Sequence, residues 1–98
     1  MQDFDTLIST NRPVLVDFYA TWCDPCKWLI PILADVEKSL INQATIIKID
    51  IEQNENLKQI YQIQSVPTLI LFKNQTILWR MNGFKTAPEL TQIIQQFL

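Results

Sequence analysis

The only two cysteines of this 98-residue chain stand two residues apart in Trp22-Cys23-Asp24-Pro25-Cys26, where an apolar run gives way to a helical pattern. Thiols so placed can close a small, reversible disulfide ring. A cross-link stabilises a fold mainly by restricting the unfolded chain, and more so as the closed loop lengthens, so this ring adds little stability. It is suited to chemistry instead. Cys23 precedes the helix, where backbone N–H groups and the positive end of the dipole favour a thiolate and lower its pKa below the free value of ~8.5. That makes Cys23 the nucleophile. Cys26, one turn further in and expected to be more buried, is suited to resolving a mixed disulfide once Cys23 has attacked. The competing reading is two inert core cysteines.

Composition narrows the chemistry. The chain has 48% hydrophobic residues, a formal net charge of -2 and no histidine. Such a length suits one domain over residues 1–98 with one core. The absence of histidine excludes Ser-His-Asp and Cys-His nucleophiles, and two cysteines are too few for an ordinary zinc site, so no metal is expected. Ten acids and eight bases are scattered without a basic run, which argues against nucleic acid or an acidic membrane surface as partner. No stretch approaches transmembrane length and the N-terminus lacks a secretory pattern, so a cytoplasmic protein is expected, unless an export signal has been removed.

The elements that would position the cysteines follow from periodicity. Asp3 can cap a short helix carrying Phe4, Leu7 and Ile8 on one face. Val14-Leu15-Val16-Asp17-Phe18-Tyr19 reads as a strand buried on both faces and interrupted by one acid. From Asp24 to Leu40 the residues Leu29, Ile32, Leu33, Val36 and Leu40 follow helical spacing, with Pro25 in the first turn and Pro31 expected to kink the middle. Thr45 to Ile49 is a second strand, parallel to the first across that helix. Asn54 can cap a short helix burying Leu57, Ile60 and Tyr61. Strands Thr68 to Phe72 and Thr76 to Met81 pair antiparallel across Lys73-Asn74-Gln75. Thr86-Ala87-Pro88-Glu89 is a capping box that opens a last helix burying Leu90, Ile93, Ile94 and Phe97.

These residues carry a resemblance to the thioredoxin family over almost the whole chain. It rests on Val16-Asp17-Phe18-Tyr19-Ala20 leading into Trp22 to Lys27, on Pro31, Lys48-Ile49-Asp50, Val66-Pro67-Thr68 and Phe72-Lys73-Asn74, and on Gly83. The resemblance implies an α/β fold with a central mixed sheet flanked by helices and a dithiol/disulfide site at the start of the kinked helix. The family's N-terminal strand would be missing or very short. Strand Thr45 to Ile49 would then be a sheet edge, only partly protected by Lys48, through which an otherwise monomeric chain could dimerise.

Several further residues acquire expected roles beside that resemblance. Burial of Asp17 would raise its pKa towards neutrality, and the resemblance implies that the acid accepts the proton of Cys26; a purely structural acid is the alternative. Lys48 would approach Asp17 and oppose the effect of burial, or simply extend its ammonium to water. The base rate for an X-Pro bond favours trans, whereas the resemblance implies a cis Pro67 facing the disulfide and a Val66 backbone that pairs with extended substrate. Trp22 is either a packing residue or part of the docking surface. Gly83, the only glycine, marks a position of positive φ or close backbone approach, or an Asn82-Gly83 turn.

Two departures from the family pattern stand out. Asp24 and Pro25 tune the redox pair, and Asp24 occupies a position that is usually glycine; its carboxylate would repel the Cys23 thiolate. Gln75 replaces a turn glycine at a cost in local strain. The expected activity is reduction of disulfides in client proteins, with no bound cofactor and with a thioredoxin reductase restoring the dithiol. A thioredoxin-fold binding module with bystander cysteines, or a disulfide oxidase or isomerase, are the alternatives.

Overall fold

Burial of the β-branched and aromatic segments organises the fold into one sheet with helices on both faces. The computed structural model describes residues 3–98. In chain order the elements are α1 (Phe4–Ile8), β1 (Val14–Tyr19), α2 (Asp24–Ser39), β2 (Thr45–Asp50), α3 (Glu55–Ile60), β3 (Thr68–Lys73), β4 (Thr76–Asn82) and α4 (Ala87–Gln95). The sheet order is β2-β1-β3-β4. β1 runs parallel to β2 and antiparallel to β3, and β3 is antiparallel to β4. The mixed sheet is thus the one expected. β1 and β3 are the inner strands, buried almost throughout, and β2 forms one edge.

Alternation along β1 divides the core in two. Val14, Val16 and Phe18 face the α1 and α3 side, where Phe4, Phe18, Tyr61 and Phe72 pack with ring centroids 5.4 to 6.3 Å apart. Leu15 faces the other side and joins Leu29, Leu33, Val36 and Leu40 of α2, Leu69 and Leu71 of β3, and Leu90 and Ile94 of α4. Asp17 has the parity of Leu15 and is therefore directed towards α2. Each of these side chains removes apolar area from water at ~25 cal/mol per Å², which is the main force holding helix and sheet together.

Helix ends follow the sequence with one exception. Asp3 accepts from the Thr6 N–H at 2.9 Å. Thr86 and Glu89 form the reciprocal capping box, with Thr86 N to Glu89 Oε1 at 3.1 Å and Glu89 N to Thr86 Oγ1 at 3.3 Å. Asn54 occupies the N-cap position of α3 but makes no side-chain cap; its Nδ2 donates to the Asp50 carbonyl at 3.0 Å instead. Ile60 is also not buried as expected. Leu57 and Tyr61, spaced by one turn, set the buried face of this short helix because Tyr61 joins the aromatic cluster. Ile60 is thereby rotated to solvent. α2 continues through Pro31.

The turn between β3 and β4 places both Asn74 and Gln75 at positive φ, +51° and +67°. This backbone suits the twist of a hairpin but strains a residue with a Cβ, as expected of Gln75. Hydrogen bonds from Asn74 N to the Thr10 carbonyl at 2.8 Å and from Gln75 N to the Ile8 carbonyl at 3.0 Å hold it against the segment after α1.

Candidate active site

Cys23 and Cys26 are joined by a disulfide with their Cα atoms 5.3 Å apart. Cys23 is the N-cap of α2, and its Sγ accepts from the Cys26 N–H at 3.2 Å. Pro25 fits the first turn because the N–H it lacks would have no helical partner there. The helix start thus aims a backbone donor at the sulfur that would carry negative charge after reduction. Both cysteines are 4% exposed. The expected difference in burial is therefore absent, and what distinguishes the two sulfurs is position. Cys23 caps the helix and lies 3.7 Å from the Val66 carbonyl oxygen, whereas Cys26 lines a cleft with the buried acid.

That cleft has a volume of about 270 Å³ and is lined by Asp17, Cys26, Lys27, Ile30 and Lys48 among others. Asp17 is 1% exposed, and its Oδ1 has no hydrogen-bond partner among the described residues. Loss of hydration penalises the ionised form, so its pKa rises from 3.8 to about 6, while the charge of Lys48 pulls the other way. The β1–β2 register sets Asp17 opposite Lys48. Lys48 itself is exposed, because β2 is an edge strand and a long side chain can carry its ammonium to water. Burial and the edge lysine therefore act on one carboxyl in opposite directions, and burial dominates.

The Val66–Pro67 peptide bond is cis, as the resemblance implied. The loop is pinned from three sides. Gly83 N donates to the Pro67 carbonyl at 2.8 Å. Thr68 Oγ1 donates to the Ser65 carbonyl at 2.7 Å, and Asn82 Oδ1 lies 3.0 Å from the same hydroxyl. Gly83 has φ +106°, which explains why the single glycine is here; a Cβ would only touch Met81 Cε at 3.8 Å, so conformation and not space is the constraint. Trp22 is 65% exposed and lines a small hollow with Ile63 and Val66. Cys23, Cys26, Asp17, Lys48, Trp22, Val66, Pro67 and Gly83 thus gather around the disulfide end of the sheet.

Asp24 stands in the first turn of α2, with Lys27 Nζ 3.7 Å from its Oδ1. Both side chains are largely exposed, so this pair is weak and offsets only part of the carboxylate's charge. Asp24→Gly is expected to move the alkylation midpoint of reduced Cys23 down by roughly 0.5 pH unit at low salt, the scale of a charge near a helix terminus. Iodoacetamide reactivity against pH measures it. An equal or higher midpoint in the glycine variant removes Asp24 from the tuning of the site.

Two large side chains near this region were not singled out from the sequence. Trp28 and Phe84 are exposed and pack on each other. The available signal was the position of Trp28 one residue outside the apolar stripe of α2. Among the described residues no group of three or more His, Cys, Asp or Glu is placed to hold a metal ion. No helix is long and apolar enough to cross a membrane.

The model of the family described as Thioredoxin matches residues 1–96. A thioredoxin-like protein of Synechocystis sp. is 45% identical over 94 residues, which cover 96% of this chain and 90% of that protein. Chloroplastic thioredoxin Y1 of Arabidopsis thaliana is 42% identical over 94 residues, covering 96% of this chain and 55% of its own length. The chain therefore spans about half of this longer relative. Among solved structures, a mutant thioredoxin from Halobacterium salinarum NRC-1 superposes with a TM-score of 0.88 at 32% identity, covering 99% of this chain and 84% of that one.

Proposed function

The chain belongs to the thioredoxin family, and from that premise we propose that it reduces disulfides in client proteins through Cys23 and Cys26. The observation that carries this reading is the disulfide at the start of α2, with the Cys26 N–H directed at Cys23 Sγ. In the dithiol form, the Cys23 thiolate attacks one sulfur of a client disulfide. A Cys23–client bond forms, the client S–S bond breaks, and the departing sulfur leaves as a thiolate that takes a proton from water.

Asp17 accepts the proton of Cys26, directly or through a water in their shared cleft. The Cys26 thiolate then attacks Cys23 Sγ, closing the ring and releasing the client's second sulfur, which is protonated in turn. Two electrons pass to the client, and the chain is left as the disulfide. Lys48 modulates Asp17 through its charge. Trp22, the Val66 main chain, Pro67 and Gly83 receive the client as an extended segment, a mode in which main-chain hydrogen bonds tolerate many sequences. Re-reduction by a thioredoxin reductase in a reducing compartment completes the cycle, with no bound cofactor on this chain.

Insulin reduction driven by dithiothreitol tests the reading. The wild-type chain should accelerate precipitation of the insulin B chain, and the Cys23→Ser, Cys26→Ser double variant should match the uncatalysed rate. Equal rates with and without the cysteines would leave a binding module as the better description.

A further inference from the structure

Trp28 and Phe84 form an aromatic pair that belongs to neither core cluster. Trp28 is 56% exposed and Phe84 42% exposed. Their ring centroids are 5.6 Å apart and their planes meet at 85°, an edge-to-face contact. Two large rings held together in water leave apolar surface uncovered, and such rings are enriched where proteins meet other molecules. Their attachment points give the pair a location. Trp28 lies three and four residues after Pro25 and Asp24, so it shares a side of α2 with the two residues between the cysteines. Phe84 follows Gly83, whose N–H is bonded to the Pro67 carbonyl. The contact thus bridges the helix carrying the disulfide and the segment that pins the Pro67 loop.

We propose that the Trp28–Phe84 pair is a docking ledge for client polypeptides, receiving an apolar side chain within two residues of the cysteine under attack. This rests on the reductase reading above. Continuity with the disulfide site favours a client as occupant: an extended segment advances ~3.3 Å per residue, so its near neighbours stay beside the helix start while its sulfur is attacked. The adjacent charges, Asp24 and Lys27, face each other at 3.7 Å. Apolar burial therefore governs selection at this ledge, adding side-chain preference to main-chain pairing at Val66.

The test uses two disulfide-bridged peptides that differ only in carrying leucines or serines at the positions flanking the cysteine, and bis(2-hydroxyethyl) disulfide as a substrate too small to reach the ledge. Single-turnover rates of the reduced protein are read for each. The wild type should prefer the leucine peptide by about tenfold, the scale set by burying one apolar side chain. Trp28→Ala and Phe84→Ala should each cut that preference below about twofold and leave the small disulfide within twofold of wild type. An undiminished preference in both variants, or none in the wild type, overturns the ledge. So does an equal loss on all three substrates, which would mark a structural role. Slower turnover with a thioredoxin reductase and an unchanged peptide preference would assign the pair to the reductase and overturn the client proposal. A wild-type protein that reduces none of the three overturns the reductase reading and the ledge with it.

Discussion

Cys26→Ser protein is expected to accumulate as a covalent complex with its client. The remaining thiol, Cys23, still has the helix start behind it and the Val66 carbonyl beside it, so attack on a client disulfide proceeds. Release then fails, because serine cannot act as the second thiol. Multiple-turnover reduction should fall by more than about 10³-fold, the scale on which deletion of a reacting group acts. The complex should survive denaturing electrophoresis and dissolve in dithiothreitol. Cys23→Ser should lose turnover to the same extent and form no complex, since Cys26 lines the inner cleft and does not cap the helix. Trapping by Cys23→Ser and not by Cys26→Ser would reverse the assignment of the two roles.

Asp17→Asn is the second large effect, and it has two signs. Resolution of the mixed disulfide at pH 7 should slow by at least about 10²-fold, the usual contribution of a positioned base. In wild type that step should rise through the pKa of about 6 and level off above it; in the variant this rise should vanish. Stability moves in the opposite direction. The folded-state pKa of Asp17 lies above its ordinary value of 3.8, so between 3.8 and about 6 the folded chain holds a proton that the unfolded chain has lost. Stability therefore falls as pH rises through this window, by about 3 kcal/mol once it is passed. Asparagine has the shape of the neutral acid and carries no charge, so Asp17→Asn should be more stable at pH 7 by up to that amount, with the gain vanishing below pH 4. Thermal unfolding across pH 3.5 to 8 measures it. A constant difference would mean that ionisation of Asp17 is not what burial penalises.

Much of this arrangement was legible because it follows from local pattern. The uninterrupted apolar run around Asp17 could only be a strand covered on both faces, and that placed a carboxylate in the interior before any contact was known. The helical spacing after Cys26, with proline admitted to the first turn, located the disulfide at a helix start. What escaped depends on tertiary competition. Ile60 has the spacing of a buried residue, but Tyr61 is drawn into the ring cluster with Phe4 and Phe72 and turns the short helix away from it. Asn54 has the chemistry of a cap but finds the Asp50 carbonyl first. The cysteines were expected to differ in burial and differ instead in what surrounds each sulfur. Trp28 and Phe84 are 56 positions apart in sequence, so no periodicity could pair them.

The oxidised pair in the structure is compatible with electrons flowing either way, and direction depends on how well each redox form is stabilised. The carboxylate of Asp24, only weakly offset by Lys27, disfavours the Cys23 thiolate and so favours a chain that gives up electrons. Equilibration with glutathione or a dithiothreitol buffer, followed by alkylation, yields the reduction potential of the Cys23–Cys26 couple. A value near -270 mV, the general figure for thioredoxin and not one obtained from this site, is the result expected of a protein-disulfide reductase. A value near ~-120 mV, that of a strong dithiol oxidant, would contradict it.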